Sequence, residues 1–250
     1  AEGRALSDAT RRNLFNLLGR GARYVSLPAF YETLVRKVPV GAINESWFLE
    51  NIDLRAKKPY MALKRLIDLL VSVLAMVLTL PFWPLIALSI RLGSPGPVIF
   101  RQVRLGRNGK PFTILKFRTM RVEGNEFAPT AVGDSRVTGL GKFLRATRLD
   151  ELPQMLNILR GDMSFVGPRP ERPDLAGELA KAIPFYDQRH LMKPGITGWD
   201  QVSGEYHSPS VEDTYKKLQF DLYYIKNVSL FMDVSVFFKT IMTVLSRSGL

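Results

Sequence analysis

The hydrophobic positions of the sequence fall into distinct patterns. From Leu69 to Ile90 the chain reads LLVSVLAMVLTLPFWPLIALSI, 22 residues without a charge. As a helix rising about 1.5 Å per residue it would reach ~33 Å, against a hydrocarbon core of about 30 Å. Residues 92–122 have strand character. Val98–Arg101 and Pro111–Phe117 alternate or run apolar on either side of GRNGK, which predicts a β-hairpin. Residues 134–250 show helical spacing, with apolar positions at 140, 143, 144, 149, 152, 155, 156 and 159. The stretch Leu230–Leu245 places Leu230, Phe231, Val234, Phe237, Phe238, Ile241, Met242 and Leu245 on one face, which reads as core or membrane-surface packing. Before the apolar stretch lie an amphipathic piece at Asn13–Leu18 and a linker-like run of short strands or helices. The pattern predicts a helix-dominated α+β protein in three parts: an N-terminal linker and amphipathic segment over 1–60, a membrane helix over 61–91 and a folded domain over 92–250.

Pro81 and Pro84 interrupt the apolar stretch just past its middle. Each removes a backbone donor, leaving the carbonyls of Val77 and Leu80 without helical partners. A helix broken there has arms of about 12 and 9 residues, roughly 18 and 14 Å, which reach about half-way through the hydrocarbon. Irregular backbone at that depth needs partners, and the Thr79 hydroxyl is a nearby donor. Charge bears on the same question. The net charge of +12 is concentrated on the flanks: residues 1–65 carry net +6 and 91–122 net +8, whereas 66–90 and 123–250 carry −1 each. Basic flanks favour the cytoplasmic face, and here both ends ask for the same face. The expectation is a re-entrant helix–break–helix, broken near Pro81 and Pro84, that enters and leaves on that face. A kinked single span and an all-round buried core helix are the alternatives.

Composition narrows the chemistry. The 46% hydrophobic content is ample for a packed core, which excludes a disordered polycation. The chain has no cysteine, so disulfides, thiolate metal sites and a cysteine nucleophile are excluded, and two histidines cannot form a three-histidine metal site. What remains is concentrated in RATRLDELPQMLNILRGDMSFVGPRPERPD. Asp150 and Glu151 precede Pro153, a residue suited to the first turn of a helix, so the pair is expected at a helix N-terminus, where negative charge is stabilised. A plain N-cap role for Asp150 is the simpler alternative. Arg145 and Arg148 lie upstream, and the proline-stiffened GPRPERP supplies Arg169 and Arg172. Adjacent carboxylates with convergent arginines point to phosphate chemistry with a divalent cation, since the carboxylates alone would repel such a substrate. In KFRTM, Lys116 and Arg118 are expected on one side of a strand, suited to phosphate contact or simply solvated. The basic run 91–122, with Phe100, Phe112 and Phe117, also admits a nucleic-acid binder, but it abuts a membrane segment, where attraction to anionic lipid explains it equally well. A non-catalytic membrane scaffold is the other rival.

Several segments together resemble a known family: KRLIDLLVSVLAMVLTLPFWPLIALSIRL, GPVIFRQVRLGRNGKPFTILKFRTM, RLDELPQMLNILRGDMSFVGPRPE, KPGITGWDQVSG and DLYYIKNVSLFMDV. They are similar, in this order over roughly 60 to 250, to the monotopic polyprenyl-phosphate phosphoglycosyl transferases, the bacterial sugar transferase family. Residues 28–60 resemble the segment that precedes this core in the larger members. The resemblance implies a cytoplasmic catalytic domain at the bacterial inner membrane. It implies transfer of a sugar-1-phosphate from a UDP-sugar to undecaprenyl phosphate with release of UMP, which starts a surface glycan such as exopolysaccharide, capsule or O-antigen. It implies that Asp150 is a covalent nucleophile with Glu151 beside it and that Mg²⁺ is required, held by Asp150 and Glu151. An ionised Asp150 of low pKa suits that role. Lys116, Arg118, Arg145, Arg148 and Arg169 are then expected to bind phosphate. The resemblance also places Gly195, Thr197, Gly198 and Gln201 near the nucleotide, and makes Asp221 a second acidic site residue or a structural cap. The expected partners are the UDP-sugar, undecaprenyl phosphate and membrane lipid, without nucleic acid; a homodimer is left open. Two departures stand out. The family's break is commonly Ser-Pro, whereas here it is Leu80-Pro81, so Thr79 is expected to take the polar role; and the position that is Ala in GWAQ is Asp200.

Overall fold

A computed structural model describes residues 7–19, 21, 25–122, 134–204 and 210–245; His207 lies outside them. Three short helices come first: α1 (Asp8–Leu18), α2 (Leu27–Val35) and α3 (Glu45–Asn51). Ser7, Ser26 and Asn44 cap them, each accepting the N–H three residues on. The region is more than a linker, because Val38, Val40 and Trp47 are buried with Val166, Leu218, Ile225 and Val236 in the largest core cluster.

The apolar stretch breaks where the prolines require it. Helix α4 (Lys58–Thr79) gives way to one 3₁₀ turn, Leu80–Phe82, and α5 (Trp83–Gly93) resumes. The Leu80 carbonyl regains a partner in the Trp83 N–H. Thr79 does not serve the freed carbonyls as expected. Its hydroxyl donates back to Ala75 O at 2.7 Å and accepts the Trp83 indole N–H at 3.3 Å, so it ties the two arms across the break. Among the described residues, Lys58–Gly93 is the one helical region long and apolar enough to cross a membrane. Leu70, Leu74, Val77, Leu78, Phe82, Leu85 and Leu88 are exposed along it. A soluble core helix would bury such a stretch, and the arrangement is that of a membrane-associated protein.

The outer ends of both arms are bonded to the folded domain. At one end Asp68 accepts the Ser164 hydroxyl and the Phe165 N–H, both at 3.1 Å. At the other, Arg118 donates to the carbonyls of Ile90, Ser94 and Pro95 and to the Ser94 hydroxyl. The basic flanks are therefore not simple collars facing lipid. Lys57 donates to Ile225 O at 2.9 Å and to Lys226 O, and Arg65 donates to Ile158 O (2.5 Å) and Leu159 O (2.9 Å). Helix C-termini leave carbonyls unpaired and carry partial negative charge, which explains why these cations turn inward. Lys58, Arg91, Arg101, Arg107 and Lys110 remain exposed.

The expected hairpin is present: β1 (Ile99–Leu105) pairs antiparallel with β2 (Pro111–Phe117), Ile99 opposite Phe117 and Leu105 opposite Pro111. Asn108 and Gly109, both at positive φ, turn the chain between them. Five more helices follow, α6 (Gly139–Ala146), α7 (Gln154–Arg160), α8 (Pro173–Ala182), α9 (Val211–Asn227) and α10 (Leu230–Leu245). Two three-residue strands, β3 (Ser164–Val166) and β4 (Gly195–Thr197), pair parallel among them. At that length they are too short to show an alternating pattern.

Candidate active site

Helix α6 ends at Ala146, and Arg148, at a left-handed φ of 58°, swings the chain into a 3₁₀ turn over Leu149–Glu151. Helix α7 starts beyond Pro153. The turn sets Asp150 and Glu151 side by side ahead of α7, close to where the sequence places them, and both are buried (7% and 6% exposed). Asn157, wholly buried on α7, accepts the Leu115 N–H at 3.1 Å and donates to Thr113 O at 2.7 Å, locking the helix to β2. Arg65 of α4 holds the other end of α7. The strand so fixed carries Lys116, whose Nζ lies 2.6 Å from Glu151 Oε1. The loop after β3 brings the half-exposed Arg169 guanidinium to 3.9 Å from the same oxygen. Arg145, braced by the Thr119 hydroxyl at 2.9 Å, and Arg148 are close enough to act electrostatically on Asp150.

The two carboxylates are pushed in opposite directions. Burial raises Asp150 above the usual aspartate range, and the nearby cations offset this only in part. Its Oδ1 is buried with no hydrogen-bond partner among the described residues. Burial also pushes Glu151 upward, but Lys116 and Arg169 outweigh it and hold this carboxyl at about 2. The sequence expectation of a low pKa for Asp150 is thus inverted, because the closest cations point at its neighbour. Paired acids with diverging pKa values are the pattern of a site that assigns its two carboxyls different tasks.

Other expected residues sort into those the fold brings close and those it does not. Arg118 is not in the cluster: the chain leaves β2 at Phe117 and its guanidinium turns to the end of α5, so the expectation of Lys116 and Arg118 on one strand face fails. Arg172 is paired with Asp174. Asp221 is buried against Arg189, with Nε at 3.0 Å and Nη2 at 2.8 Å. Arg189 also donates to the Tyr186 hydroxyl (2.8 Å) and to Arg169 O (3.1 Å), so Asp221 bears on the Arg169 loop at one remove. Neither Asn157 nor Arg189 stands out in the sequence. Their partners lie 42 and 32 residues away, beyond what local spacing shows.

Thr197 ends β4 and Gln201 lies in the 3₁₀ turn Asp200–Val202 that follows, a segment packed against Gly167 at the base of the Arg169 loop. A Cβ at Gly195 would lie 2.2 Å from Gly167 N, and one at Gly198 would lie 2.6 Å from Gly167 O, so glycine is what lets the backbones approach. The Thr197 hydroxyl pairs with Thr240 of α10 at 2.8 Å, and Gln201 Oε1 is buried without a partner. Among the described residues no group of three or more His, Cys, Asp or Glu is arranged to hold a metal.

Known proteins are similar to this sequence. The profile described as Bacterial sugar transferase matches residues 59–247. A UDP-N-acetylgalactosamine-undecaprenyl-phosphate N-acetylgalactosaminephosphotransferase of Aeromonas hydrophila is 43% identical over 222 residues, which cover 87% of this chain and 51% of that protein. A UDP-glucose:undecaprenyl-phosphate glucose-1-phosphate transferase of Escherichia coli (strain K12) is 44% identical over 182 residues, 72% of this chain and 39% of that protein. The exopolysaccharide production protein PSS of Rhizobium leguminosarum bv. phaseoli is 40% identical over 195 residues, 75% of this chain and 97% of that protein. The chain therefore spans about half the length of the first, less of the second and nearly all of the third. With the profile covering most of its length, carboxylate turn included, the chain belongs to the bacterial sugar transferase family.

Proposed function

We propose that the chain transfers a sugar-1-phosphate from a UDP-sugar to undecaprenyl phosphate, through a covalent phosphosugar on Asp150, as the first membrane step of exopolysaccharide, capsule or O-antigen synthesis. The observation that carries this reading is the Asp150 carboxylate, buried, with one oxygen lacking any partner, amid Lys116, Arg145 and Arg148. A carboxylate stripped of hydrogen bonds is a stronger nucleophile than a solvated one. Asp150 attacks the phosphorus that bears the sugar, the bond from that phosphorus to the bridging oxygen breaks, and UMP leaves with the electron pair. A phosphate oxygen of the acceptor then attacks the same phosphorus and the Asp150 carboxylate departs. Glu151, ionised, holds Lys116 and Arg169 where the phosphate oxygens arrive, so charge developing there meets fixed cations. The names of two relatives contain both substrates and support the reading; they differ in the sugar.

Mg²⁺ fits this donor set, because it is commonly held by one or two carboxylates together with substrate phosphates, and Asp150 Oδ1 is an acceptor without a partner. Asp150 and Glu151 would hold it, and bound there it would offset the charge of the diphosphate. The hairpin of α4 and α5 is read as re-entrant, on the cytoplasmic face of the inner membrane. A straight helix would set Asp68 and Ser94 ~39 Å apart, yet both are bonded to one domain. Single cysteines at Arg55 and Arg107 in this cysteine-free chain are then labelled by an impermeant maleimide from one side; labelling from opposite sides would establish a single span.

The function is tested with UDP-glucose and UDP-N-acetylgalactosamine carrying ³²P in the sugar-linked phosphate, incubated with the full chain and Mg²⁺ and quenched in denaturant. Label is expected on the protein and absent from Asp150→Asn. Label that persists in the variant removes Asp150 from the role. No label and no turnover with either donor sinks the reading.

A further inference from the structure

A cavity of about 500 Å³ lies between the break of the hairpin and the folded domain. Its walls include Leu80 and Ala87 of the hairpin, Phe117 of β2, and Pro153 and Leu156 at the start of α7. Among the described residues, the charged groups on its lining are two guanidiniums, Arg101 and Arg160, and no carboxylate lines it. Two wall residues are chain neighbours of the catalytic groups: Phe117 follows Lys116, and Pro153 stands two places beyond Glu151. The cavity thus shares backbone with the carboxylate turn at one end and follows α7 to Arg160, while the hairpin that closes its other side exposes Leu80, Leu85 and Leu88.

We infer that this groove receives the isoprenoid chain of the lipid acceptor, an inference that rests on the acceptor being a polyprenyl phosphate. The apolar walls with cations and no acidic residue match a molecule that joins a hydrocarbon chain to an anionic head. The volume is far too small for a whole polyprenyl chain, so the groove holds the units nearest the phosphate and leaves the rest in the bilayer. Moving such a chain from lipid into an apolar groove gains little by hydrophobicity alone. Its effect is alignment, presenting the phosphate end to the carboxylate turn in one orientation. Arg101 and Arg160 attract the anionic lipid to the groove as a whole, while the phosphate itself is met by Lys116 and Arg169 at the carboxylate turn.

Ala87→Trp places an indole in the groove without touching a catalytic group. In the full chain it should raise KM for undecaprenyl phosphate by about tenfold or more while exchange of labelled UMP into the UDP-sugar, which reports the donor half alone, stays unchanged. A second measurement does not depend on a bulky substitution: benzoylphenylalanine at Leu156 should photocrosslink to ³²P-undecaprenyl phosphate, and unlabelled undecaprenyl phosphate should compete where phosphatidylglycerol does not. An unchanged acceptor KM in Ala87→Trp overturns the groove, as does absent crosslinking or competition by phosphatidylglycerol, which would make it a site for bulk lipid. If Ala87→Trp loses both halves of the reaction, the crosslink decides. A wild-type protein that neither exchanges UMP nor turns over overturns the proposed function, and the crosslink then still reports on the groove.

Discussion

Two aspartates, the buried Asp150 in the carboxylate turn and the partly buried Asp233 that α10 presents to the start of α4, are handled in opposite ways. Asp233 accepts the Tyr224 hydroxyl on Oδ1 at 2.6 Å, and on Oδ2 the Tyr60 hydroxyl at 2.6 Å and Lys64 Nζ at 2.5 Å. Both oxygens are satisfied, and the cluster ties α4, α9 and α10 together. In the turn, Asp150 is the more deeply buried of the two, yet its Oδ1 has no partner among the described residues and the nearest ammonium is given to Glu151. A buried acid with all its hydrogen bonds made is a structural element, whereas one left short is costly to the fold and persists where chemistry uses it.

The contrast is broken most directly by removing each charge in turn. Asp150→Asn should lower turnover by at least about 10³-fold, as expected when a nucleophile is lost, without lowering the thermal midpoint in detergent. Its raised pKa means that, between the unfolded and folded values, the native state holds a proton that the unfolded chain has released. Stability therefore falls as pH rises through that window, and the amide removes this cost. Asp233→Asn should do the reverse. It strands Lys64, whose side chain is 6% exposed, and should cost about 3–5 kcal/mol in stability while the folded fraction keeps its turnover. If Asp233→Asn abolishes turnover in fully folded protein, or Asp150→Asn destabilises as strongly, the distinction fails.

A smaller effect sharpens the same comparison from the cation side. Lys116 is the strongest of the charges that lower Asp150, so Lys116→Met should push Asp150 higher still. If ionisation of Asp150 sets the acid limb of kcat/KM for the UDP-sugar, that limb should move to higher pH. An acid limb that stays in place would show that Asp150 does not set it.

How much of this could be read from the chain follows the range of the interactions. The helix break was legible because Pro81 and Pro84 act on their own backbone, and the β1–β2 turn because Asn108 and Gly109 carry local conformational preference. The carboxylate turn was legible for the same reason, being set by Arg148 through Pro153 within a single run. The aim of the charges was not. Lys57, Arg65 and Arg118 read as membrane-flanking cations because nothing in their own neighbourhood shows the helix ends they meet, 168, 93 and 24 residues away. The inverted pKa order of Asp150 and Glu151 was hidden likewise, since it depends on which of two adjacent oxygens Lys116 reaches from 35 residues away.

Arg118 gives the finest test of that difference, because it stands two residues from Lys116 and does the opposite work. Its guanidinium reaches three carbonyls and a hydroxyl at the end of α5, and Gly96 leaves room for it: a Cβ there would lie 2.2 Å from Arg118 Nη1. A lysine cannot span those acceptors at once, so Arg118→Lys should cost about 2–3 kcal/mol in stability and loosen the hairpin exit. KM for the UDP-sugar should stay within about twofold, since no donor of Arg118 points to the carboxylates. Gly96→Ala should also lower stability without altering any charge, both by pushing the guanidinium off its carbonyls and by straining a backbone held at φ 118°. A tenfold rise in donor KM at unchanged stability would return Arg118 to the phosphate-binding role that its sequence neighbourhood suggests. A stability loss in Arg118→Lys at unchanged donor KM would instead identify it as the clasp by which the end of β2, and with it Lys116, is set against α5.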